Sequence, residues 1–366
     1  MKPMNPFKFG SVVQEPYFTD RVIEQADIKK VLSSANHLII ISPRRYGKTS
    51  LIKKVVSSLE RPLIFLDLQL ITDINDFASQ ILKRVYRVYP FERLKGFLKN
   101  FRVTPSINLN PLTNEVDVSF LSNSNHTLLL EDVFNLLDKL GTAQKKPIVV
   151  LDEFQDIKRL NPDLDKHLRA IIQHHQNINY VFMGSIESMM RQIFEEKKSP
   201  FYHFGQLMPL DKIPYQEFTN FIIQGFQDKT REVEPLAEII LQITQCHPYY
   251  TQQLAYTVWN KWDDNLPVKE LVNSTVDYLV RIHDNDYQRI WQNQNQTDKK
   301  ILIQIAQGQE QLLSQNSIQQ MGFKSTSTLY SGLTRLTQQG YVVKANSNYE
   351  LDDPFFKSWI LKKRKE

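Results

Sequence analysis

Cysteine is almost absent from this sequence, since Cys246 is the only one among 366 residues. An intrachain disulfide and a cysteine-based zinc site are therefore excluded, and a reducing compartment is expected. Long apolar runs are also missing: none approaches the roughly 18 residues that a membrane-spanning helix needs. The opening residues, Met1–Pro6, lack the apolar stretch of a signal peptide, which makes a cytoplasmic location the expectation.

Charge is close to balanced, and the formal net charge is only +5. The excess lies wholly between Lys299 and Glu366, a stretch with ten Lys or Arg and five Asp or Glu residues. Four of those ten cations, Lys362 to Lys365, form a terminal basic tail. Such a tail is typical of contact with nucleic acid or acidic partners, but a solvated terminus explains it equally well.

Four short apolar runs, alternating with helical patterns, indicate a parallel β-sheet that is buried on both faces. The runs are Leu38–Ile41, Leu63–Leu66, Ile148–Leu151 and Tyr180–Met183. A β-hairpin is predicted as an insertion near residues 102–122, and no chemistry is assigned to it. Residues 1–210 are therefore predicted to form one α/β domain, with a parallel sheet sandwiched by helices.

The strand pattern stops after residue 210, and residues 211–290 are predicted to be a purely helical unit. The polar run Gln292–Gln296 is typical of a linker. Residues 298–366 then predict three helices and a β-hairpin, which is the composition of a winged helix-turn-helix domain. Its third helix is expected to begin at an N-cap, Ser325, and to end at Gly340.

The strongest chemical signal is a loop between the first apolar run and a helical pattern. It reads Ser42-Pro43-Arg44-Arg45-Tyr46-Gly47-Lys48-Thr49. Strand, loop and helix in this order form the setting in which backbone N–H groups bind nucleotide phosphates. Gly47 is expected to let the backbone approach the phosphates, Lys48 to reach the β- and γ-phosphates, and Thr49 to ligate Mg²⁺. Ser42 stands where the pattern has glycine, so strain is expected if that position needs a positive φ.

Two acidic residues, Asp152 and Glu153, follow the apolar run Ile148–Leu151. Because this edge of a parallel sheet lies beside the phosphate loop, Asp152 is predicted to hold Mg²⁺ and Glu153 to activate the attacking water. A strand end with two solvated acids is the less favoured alternative. Ser185, after the fourth run, is predicted either to face the γ-phosphate as a catalytic residue or to cap the helix that follows.

Taken together, these motifs resemble the archaeal- and bacterial-type ATPase family of the AAA+/STAND group of P-loop NTPases. The resemblance is carried by Asn5–Phe7 with Phe18–Arg21, Pro43–Leu51, Leu151–Gln155, Gly184-Ser185 and Cys246–Tyr250. It implies an ATPase domain, a helical lid and a winged helix, with ATP as the ligand, Mg²⁺ as the cofactor and Gly184-Ser185 as sensor 1. The nucleotide-binding residues predicted in this way are Ser42, Pro43, Arg44, Arg45, Tyr46, Gly47, Lys48, Thr49, Ser50, Asp20, Arg21 and His247.

Some residues keep more than one interpretation. Gln206 stands where family members often carry an arginine that stabilises transition-state charge. Glutamine is uncharged, so slow basal hydrolysis is expected unless Arg191 substitutes. His247 either reports the γ-phosphate to the lid or is a helix-terminal histidine bonded to backbone. Arg44 and Arg45 meet phosphates, a neighbouring subunit or solvent.

The sequence favours a Mg²⁺-dependent ATPase that couples ATP binding and hydrolysis to movement of the lid and the winged helix. A STAND-like nucleotide-gated switch with little turnover uses the same residues, and so does an ATP-controlled DNA-binding protein of the mobile-element or defence type. The third winged-helix helix carries Arg335 as its only charge, which favours protein docking or an intramolecular role over duplex DNA. A protein partner or a second copy of the chain is the other partner considered, and no membrane is expected.

Overall fold

The computed structural model describes residues 4–19, 21–109, 116–121, 125–309, 311–323, 325–345 and 348–363. The chain divides into two compact units. The sheet unit comprises Val22–Ser42 and Leu51–Leu210, and the helical unit comprises Met1–Arg21, Pro43–Ser50 and Asp211–Glu366. Within the ranges described, no helix is both long and apolar enough to pass through a membrane.

A parallel β-sheet forms the centre of the sheet unit, as predicted. The strands of this unit are β1 (Leu38–Ile41), β2 (Leu63–Asp67), β3 (Ser106–Leu109), β4 (Val116–Ser119), β5 (Ile148–Asp152), β6 (Asn179–Gly184) and β7 (Gln206–Pro209). In the described part of the chain, five of them pair in the order β2-β5-β6-β1-β7, and every pairing is parallel. Strands β1, β5 and β6 are buried along their whole length, as their continuous apolar sequences predict.

Strands β3 and β4 form a separate antiparallel hairpin. The residues between these two strands, 110–115, lie outside the described residues. Strand β7 is not among the predicted strands, because its short run Gln-Leu-Met-Pro begins at the exposed Gln206 and has no clear strand pattern.

Helices flank the sheet, and the third to the eighth of them bury apolar side chains in one core with it. They are α1 (Val22–Leu32), α2 (Lys48–Leu59), α3 (Ile74–Val88), α4 (Phe91–Leu98), α5 (His126–Leu140), α6 (Ile157–Leu160), α7 (Leu164–Ile172) and α8 (Glu187–Glu195). In α5, the Asn125 side chain accepts hydrogen bonds from Thr127 N and Leu128 N and so caps the helix. The α5 residues expected from their spacing to share a face are all buried; they are Leu129, Val133, Leu136, Leu137 and Leu140.

The helical unit contains a group of helices after residue 214, where the sequence predicts helices. They are α9 (Tyr215–Phe226), α10 (Val233–Thr244), α11 (Pro248–Asn260), α12 (Val268–Ile282) and α13 (Asp284–Gln292). The N-terminal segment packs against them through Phe7, whose ring centroid lies 5.6 Å from that of Phe221 and 5.0 Å from that of Phe226. Gly225 makes room for this ring, because a Cβ at that position would lie 2.3 Å from Phe7 Cζ.

The rest of the helical unit is a winged helix, as predicted. Its elements are α14 (Gln296–Ala306), α15 (Gln315–Gln320), α16 (Thr326–Gln338), β8 (Val342–Ala345), β9 (Asn348–Leu351) and α17 (Pro354–Lys363). Ser325 precedes α16 but does not cap it through its side chain, because its hydroxyl bonds to the hydroxyls of Ser327 and Thr328. Gly340 follows α16 with a φ of +77°, a conformation that favours glycine.

Half of the basic stretch at the end of the chain belongs to a helix. Lys362 and Lys363 lie in the last turn of α17 and are exposed, and Lys362 forms an ion pair with Asp277. Helix α17 is held by apolar side chains that join the core of the helical unit; they are Phe355, Phe356, Trp359 and Ile360. Arg364 and Lys365 lie outside the described residues.

A buried histidine makes the stability of the sheet unit depend on pH. His37 precedes β1, its Nδ1 accepts a hydrogen bond from Tyr180 N at 3.2 Å, and its ring packs 4.7 Å from that of Phe204. Burial, reinforced by the positive charge of nearby basic residues, lowers the pKa of His37 from 6.5 to about 4. The unfolded chain binds this proton more tightly than the folded chain does. The contribution of neutral His37 to the free energy of unfolding is therefore intact above pH 6.5 and is lost as the pH falls toward 4.

We expect the free energy of unfolding to fall by about 2 kcal/mol from this group alone between pH 7 and pH 5. Urea unfolding at the two pH values measures the change. The control is His37→Asn, which keeps a hydrogen-bond acceptor but does not titrate. Between the two pH values, its free energy of unfolding is expected to fall less than that of the wild type, by about the same 2 kcal/mol. Equal losses in both proteins would contradict this assignment.

Candidate functional site

The predicted phosphate loop connects β1 to α2, and its backbone conformation explains two of its residues. Gly47 has a φ of +91°. A Cβ at Gly47 would meet no atom within 4 Å, so the position favours glycine for its conformation and not for space. Arg45 also has a positive φ, of +65°, whereas Ser42 does not. The strain expected at Ser42 is therefore absent, and Ser42 N donates to Gly184 O at 3.4 Å.

Lys48 is the first residue of α2 and is 6% exposed. Its Nζ donates to the carbonyl oxygen of Pro43 at 2.9 Å, which folds the side chain back over the loop. Because α2 begins here, the first N–H groups of the helix and its positive dipole end belong to the loop, an arrangement suited to an anion. Thr49 follows as the second residue of α2 and is half-buried.

Two residues predicted to bind nucleotide hold the loop to its surroundings. The Arg21 guanidinium is 3% exposed and donates to the carbonyl oxygens of Tyr46 at 3.1 Å and Asp211 at 2.7 Å. The Ser50 hydroxyl accepts a hydrogen bond from Val13 N at 2.9 Å. These contacts fix the loop to the N-terminal segment and to the start of the lid. Asp20, predicted with them, lies outside the described residues.

His247 joins the loop to helix α11 of the lid. Its Nδ1 accepts hydrogen bonds from Tyr249 N at 3.2 Å and Tyr250 N at 3.5 Å, and so caps α11. The alternative of a helix-terminal histidine bonded to backbone is thus realised in the structure. Tyr46 of the loop also packs edge-on against the His247 ring, with the two centroids 4.9 Å apart.

The Nε2 atom of His247 points to the winged helix. It lies 3.5 Å from Asp352 Oδ1, just after β9, and both atoms are buried without a hydrogen-bond partner. Since Nδ1 accepts two N–H groups, Nε2 carries the proton of the neutral ring. The distance is slightly longer than an ordinary hydrogen bond, so a small shift of either group would complete one.

Arg45 makes a second connection from the loop to the winged helix. Its Nη1 donates to the Tyr250 hydroxyl at 2.9 Å, and its guanidinium lies 4.7 Å from the ring centroid of Tyr249. The Tyr250 ring in turn packs edge-on against that of Phe355 in α17, with centroids 5.7 Å apart, and Asp353, just before that helix, accepts a hydrogen bond from Tyr287 at 3.0 Å. Burial raises the pKa of Asp353, whose Oδ1 caps α17 by accepting from the N–H groups of Phe355 and Phe356. Arg44 and Arg45 are both exposed residues.

The second predicted part of the site lies in the sheet unit, where β5 and β6 end at the same edge. Asp152 closes β5 and is 8% exposed. Glu153 follows with a φ of +51°, which is unusual for a residue with a side chain and is common at functional sites. Its Oε2 accepts a hydrogen bond from the Ser185 hydroxyl at 2.6 Å. Ser185 does not cap α8, since Ile186 precedes that helix and no side chain caps it.

A residue that the sequence reasoning did not single out completes this cluster. Gln155 Nε2 also donates to Glu153 Oε2. Its position two residues after Glu153, inside the motif Leu151–Gln155, was the available signal.

Two further predictions concern the charge available to stabilise the transition state. Gln206 is the first residue of β7 and is exposed. Arg191 forms ion pairs on its own helix, with Glu187 at 2.8 Å and with Glu195 at 2.9 Å.

Helix α16, which a winged helix would present to DNA, offers a surface without charge. Its exposed residues are Thr326, Ser327, Tyr330, Ser331, Thr334 and Gln338. Arg335 is partly exposed and forms an ion pair with the buried Asp298, in which Nη2 lies 2.5 Å from Oδ1 and Nε lies 2.8 Å from Oδ2. The single cation in the α16 sequence is therefore already paired within the domain.

Comparison with known families identifies the family of the chain. A family described as an ATPase domain predominantly from Archaea matches residues 18–254. The chain belongs to this ATPase family. A second match, to a probable winged helix domain, covers residues 285–362 and thus includes all of α13 except Asp284.

Individual relatives of this archaeal-type ATPase are distant. An uncharacterized ATP-binding protein of Methanocaldococcus jannaschii is 28% identical over 170 residues, which are 40% of this chain and 45% of the relative. The match therefore spans less than half the length of that curated relative. A Walker-type ATPase of Pyrococcus abyssi has a similar fold, with a TM-score of 0.69, 18% identity and coverage of 97% of this chain and 99% of its own.

A third protein of similar fold is the ORC2 protein of Aeropyrum pernix, solved as ADPNP–ADP complexes. Its TM-score is 0.52 at 15% identity, and the match covers 98% of this chain and 100% of that one. At these identities the two structures support the fold of the ATPase and its winged helix, and nothing finer.

Proposed function

We propose that this protein is a Mg²⁺-dependent ATPase that hydrolyses ATP slowly and couples the nucleotide state to movement of the lid and winged helix. The observation that carries the proposal is the pair of connections from the phosphate loop to the winged helix. One runs from Tyr46 through His247 to Asp352, and the other runs from Arg45 through Tyr250 to Phe355. The proposed domains are residues 1–210, 211–290 and 298–366, and the proposed location is the cytoplasm because the chain has a single cysteine.

In this proposal the loop binds the triphosphate of ATP. The backbone N–H groups around Gly47 and the start of α2 would face the phosphates, and Lys48 would exchange its bond to Pro43 O for the β- and γ-phosphates. Arg21 and Ser50 would act indirectly by fixing the loop. The remaining members of the proposed nucleotide site are Ser42, Pro43, Arg44, Arg45, Tyr46, Thr49, Asp20 and His247.

Magnesium fits the oxygen donors proposed for it. The Thr49 hydroxyl and the Asp152 carboxylate are hard ligands of the kind that Mg²⁺ prefers, and this ion commonly keeps several waters and uses few protein groups. Among the residues that the structure describes, no group of three or more His, Cys, Asp or Glu forms an all-protein metal cage. When bound, the ion supplies positive charge that offsets the charge developing on the phosphate oxygens.

The proposed reaction is in-line hydrolysis at the γ-phosphorus. The oxygen of a water forms the new bond to phosphorus, while the bond to the β,γ-bridging oxygen breaks and leaves its electron pair on ADP. Glu153 takes the proton that the water loses, and Ser185, bonded to Glu153 Oε2, orients this carboxylate. Slow turnover is proposed because Gln206 carries no charge and Arg191 already pairs with Glu187 and Glu195.

Coupling would follow from competition for Arg45. A triphosphate in the loop offers the guanidinium a charged acceptor, which binds it more strongly than the Tyr250 hydroxyl does. Release of that hydroxyl would let the Tyr250 ring shift against Phe355, which lies in the first turn of α17. The nucleotide would in this way alter the stability of the last helix of the winged helix.

A nucleotide-gated switch with little turnover is the second candidate, and the uncharged Gln206 favours it. Control of duplex DNA is less well supported, since Arg335, the single cation of α16, is already paired with Asp298. The uncharged exposed face of α16 instead suits a protein partner or a second copy of this chain. An affinity for duplex DNA that falls steeply with salt concentration would favour DNA over a protein partner.

Hydrolysis by the purified chain with Mg²⁺, measured with and without duplex DNA, tests the proposed function. We expect turnover below about 1 per second that DNA does not change. Turnover of about ten per second or faster without a partner would contradict the slow rate. ATP binding without any hydrolysis would favour the switch, and a rise with DNA would favour the DNA-controlled alternative.

Tyr250→Phe tests the coupling, because it removes the hydroxyl that Arg45 binds and keeps the ring that packs against Phe355. We expect the ATP-dependent change in amide hydrogen exchange of residues 348–363 to shrink by at least half, with ATP affinity within about threefold of wild type. The matched control is Tyr287→Phe, which removes the hydroxyl that donates to Asp353 but does not contact the loop. Equal effects of the two variants would contradict coupling through Tyr250.

A further inference from the structure

Gln155 occupies a place that stability alone does not explain. The residue is 3% exposed and lies in the 3₁₀ turn Phe154–Asp156, which begins directly after Glu153. Its Nε2 donates to Glu153 Oε2, but its Oε1 is buried without a hydrogen-bond partner. Burying an amide with one of its polar atoms unpaired is unfavourable, and an apolar side chain of the same length would avoid that penalty.

The neighbouring strand leaves room for this amide. Gly184 ends β6, and a Cβ at that position would lie 2.4 Å from Gln155 Oε1 and 2.4 Å from the Met190 sulfur. The φ of Gly184 is not positive, so space and not conformation favours glycine there. The end of β6 therefore supports two contacts with Glu153. Gly184 leaves space for the Gln155 amide, and Ser185 supplies the hydroxyl.

Both donors act on the same carboxylate oxygen. The Ser185 hydroxyl and the Gln155 amide meet Glu153 Oε2, and neither of these two bonds uses Oε1. A carboxylate held by two donors on one oxygen has little freedom to rotate, so its second oxygen keeps a fixed direction. The backbone of Glu153, with its φ of +51°, is set by the same turn that carries Gln155.

We infer that Gln155 is a positioning residue for ATP hydrolysis, which holds Glu153 Oε2 so that Oε1 is directed to the attacking water. The inference rests on the proposed function, because it assumes that Glu153 accepts the proton of that water. In the step itself the proton passes from water to Glu153 Oε1, and Gln155 neither gains nor loses a proton. The amide acts through orientation, so it contributes to the rate of the step and not to the binding of ATP.

Gln155→Met in the full chain is the test, since methionine has a similar length and cannot donate. We expect kcat to fall at least tenfold while KM and the dissociation constant of ATP stay within about twofold, and we expect Tm to be unchanged or higher. A fall in Tm with a parallel loss of ATP binding would show a structural role and would overturn the inference. An unchanged kcat would overturn it as well.

Gln155→Glu adds a readout that a structural role would not move. A protonated carboxyl can still donate to Glu153, whereas an ionised one repels it. We expect the ratio of the variant's kcat to that of wild type to rise at least threefold when the pH is lowered from about 8 to about 6. A ratio that stays constant with pH would contradict positioning through this hydrogen bond.

A double variant separates this inference from the proposed function. If Gln155 works through Glu153, then Glu153→Gln with Gln155→Met is expected to be no slower than Glu153→Gln alone. Independent, multiplying losses would overturn the inference and leave the proposed function intact. A wild-type rate in Glu153→Gln would instead remove the proposed role of Glu153, and the positioning role would fail with it.

Discussion

Replacing Glu153 with glutamine is expected to lower kcat for ATP hydrolysis about 100-fold or more, while ATP affinity stays within about threefold. An amide of the same shape keeps the packing against Ser185 and Gln155 but cannot take a proton from water. Loss of a general base typically costs two to four orders of magnitude in rate. ATP is held in this proposal by the loop and not by Glu153, which is why binding is expected to survive.

Single-turnover hydrolysis and equilibrium binding of ATP, measured on the same preparation, check both parts of this expectation. Glu187→Gln is a suitable control, because that carboxylate lies on the surface of α8 and pairs only locally with Arg191. The proposed role of Glu153 would be refuted by a variant that hydrolyses ATP at the wild-type rate. A variant that loses binding as well would place Glu153 among the groups that hold the nucleotide.

Replacing Lys48 with alanine is expected to weaken ATP binding about 100-fold, which corresponds to about 2.8 kcal/mol. The ammonium is already largely removed from water and is held over the loop by Pro43 O, so little reorganisation opposes its contact with phosphate. A buried charge–charge hydrogen bond lost from one side commonly costs 2–5 kcal/mol. Hydrolysis at subsaturating ATP is expected to fall at least in proportion.

Calorimetric titration with ATP and Mg²⁺ at constant salt measures this loss. Lys54→Ala is the matched control, since it removes the same charge from the same helix, α2, one and a half turns further along. Equal weakening by the two substitutions would point to a general electrostatic effect and would contradict a specific contact of Lys48 with phosphate.

The central sheet was accessible from sequence because its strands are buried on both faces. The run Leu38–Ile41 coincides with β1, and the other three predicted runs lie within β2, β5 and β6. Strand β7 escaped prediction because it lies at the sheet edge, where none of its four residues is buried and the apolar signal is short. Helix α17 was not predicted, although Trp359 and Ile360 follow Phe355 and Phe356 by one turn, and only Lys362–Lys365 at its end were interpreted, as a basic tail.

The partners of the candidate site residues could not be read from the sequence. Spacing placed Ser185 after a strand but left its two compatible roles equal; the structure shows that it does not cap α8 and that its hydroxyl contacts Glu153. The approach of His247 to Asp352 joins residues from distant parts of the chain, which no local pattern reports. The motif alone predicts backbone strain at Ser42. In the structure, the residues of the phosphate loop that have a positive φ are Arg45 and Gly47.

The phosphate loop belongs to the same compact unit as residues 211–366, although it is connected to strand β1 of the other unit. A fragment that stops at residue 210 would lack the Asp211 carbonyl that binds Arg21 and the tyrosines that receive Arg45. Such a fragment could not report the behaviour of the whole protein. For the same reason, recombination between genes could not exchange the C-terminal half for another output module without also rebuilding the loop, so the two parts are expected to be inherited together.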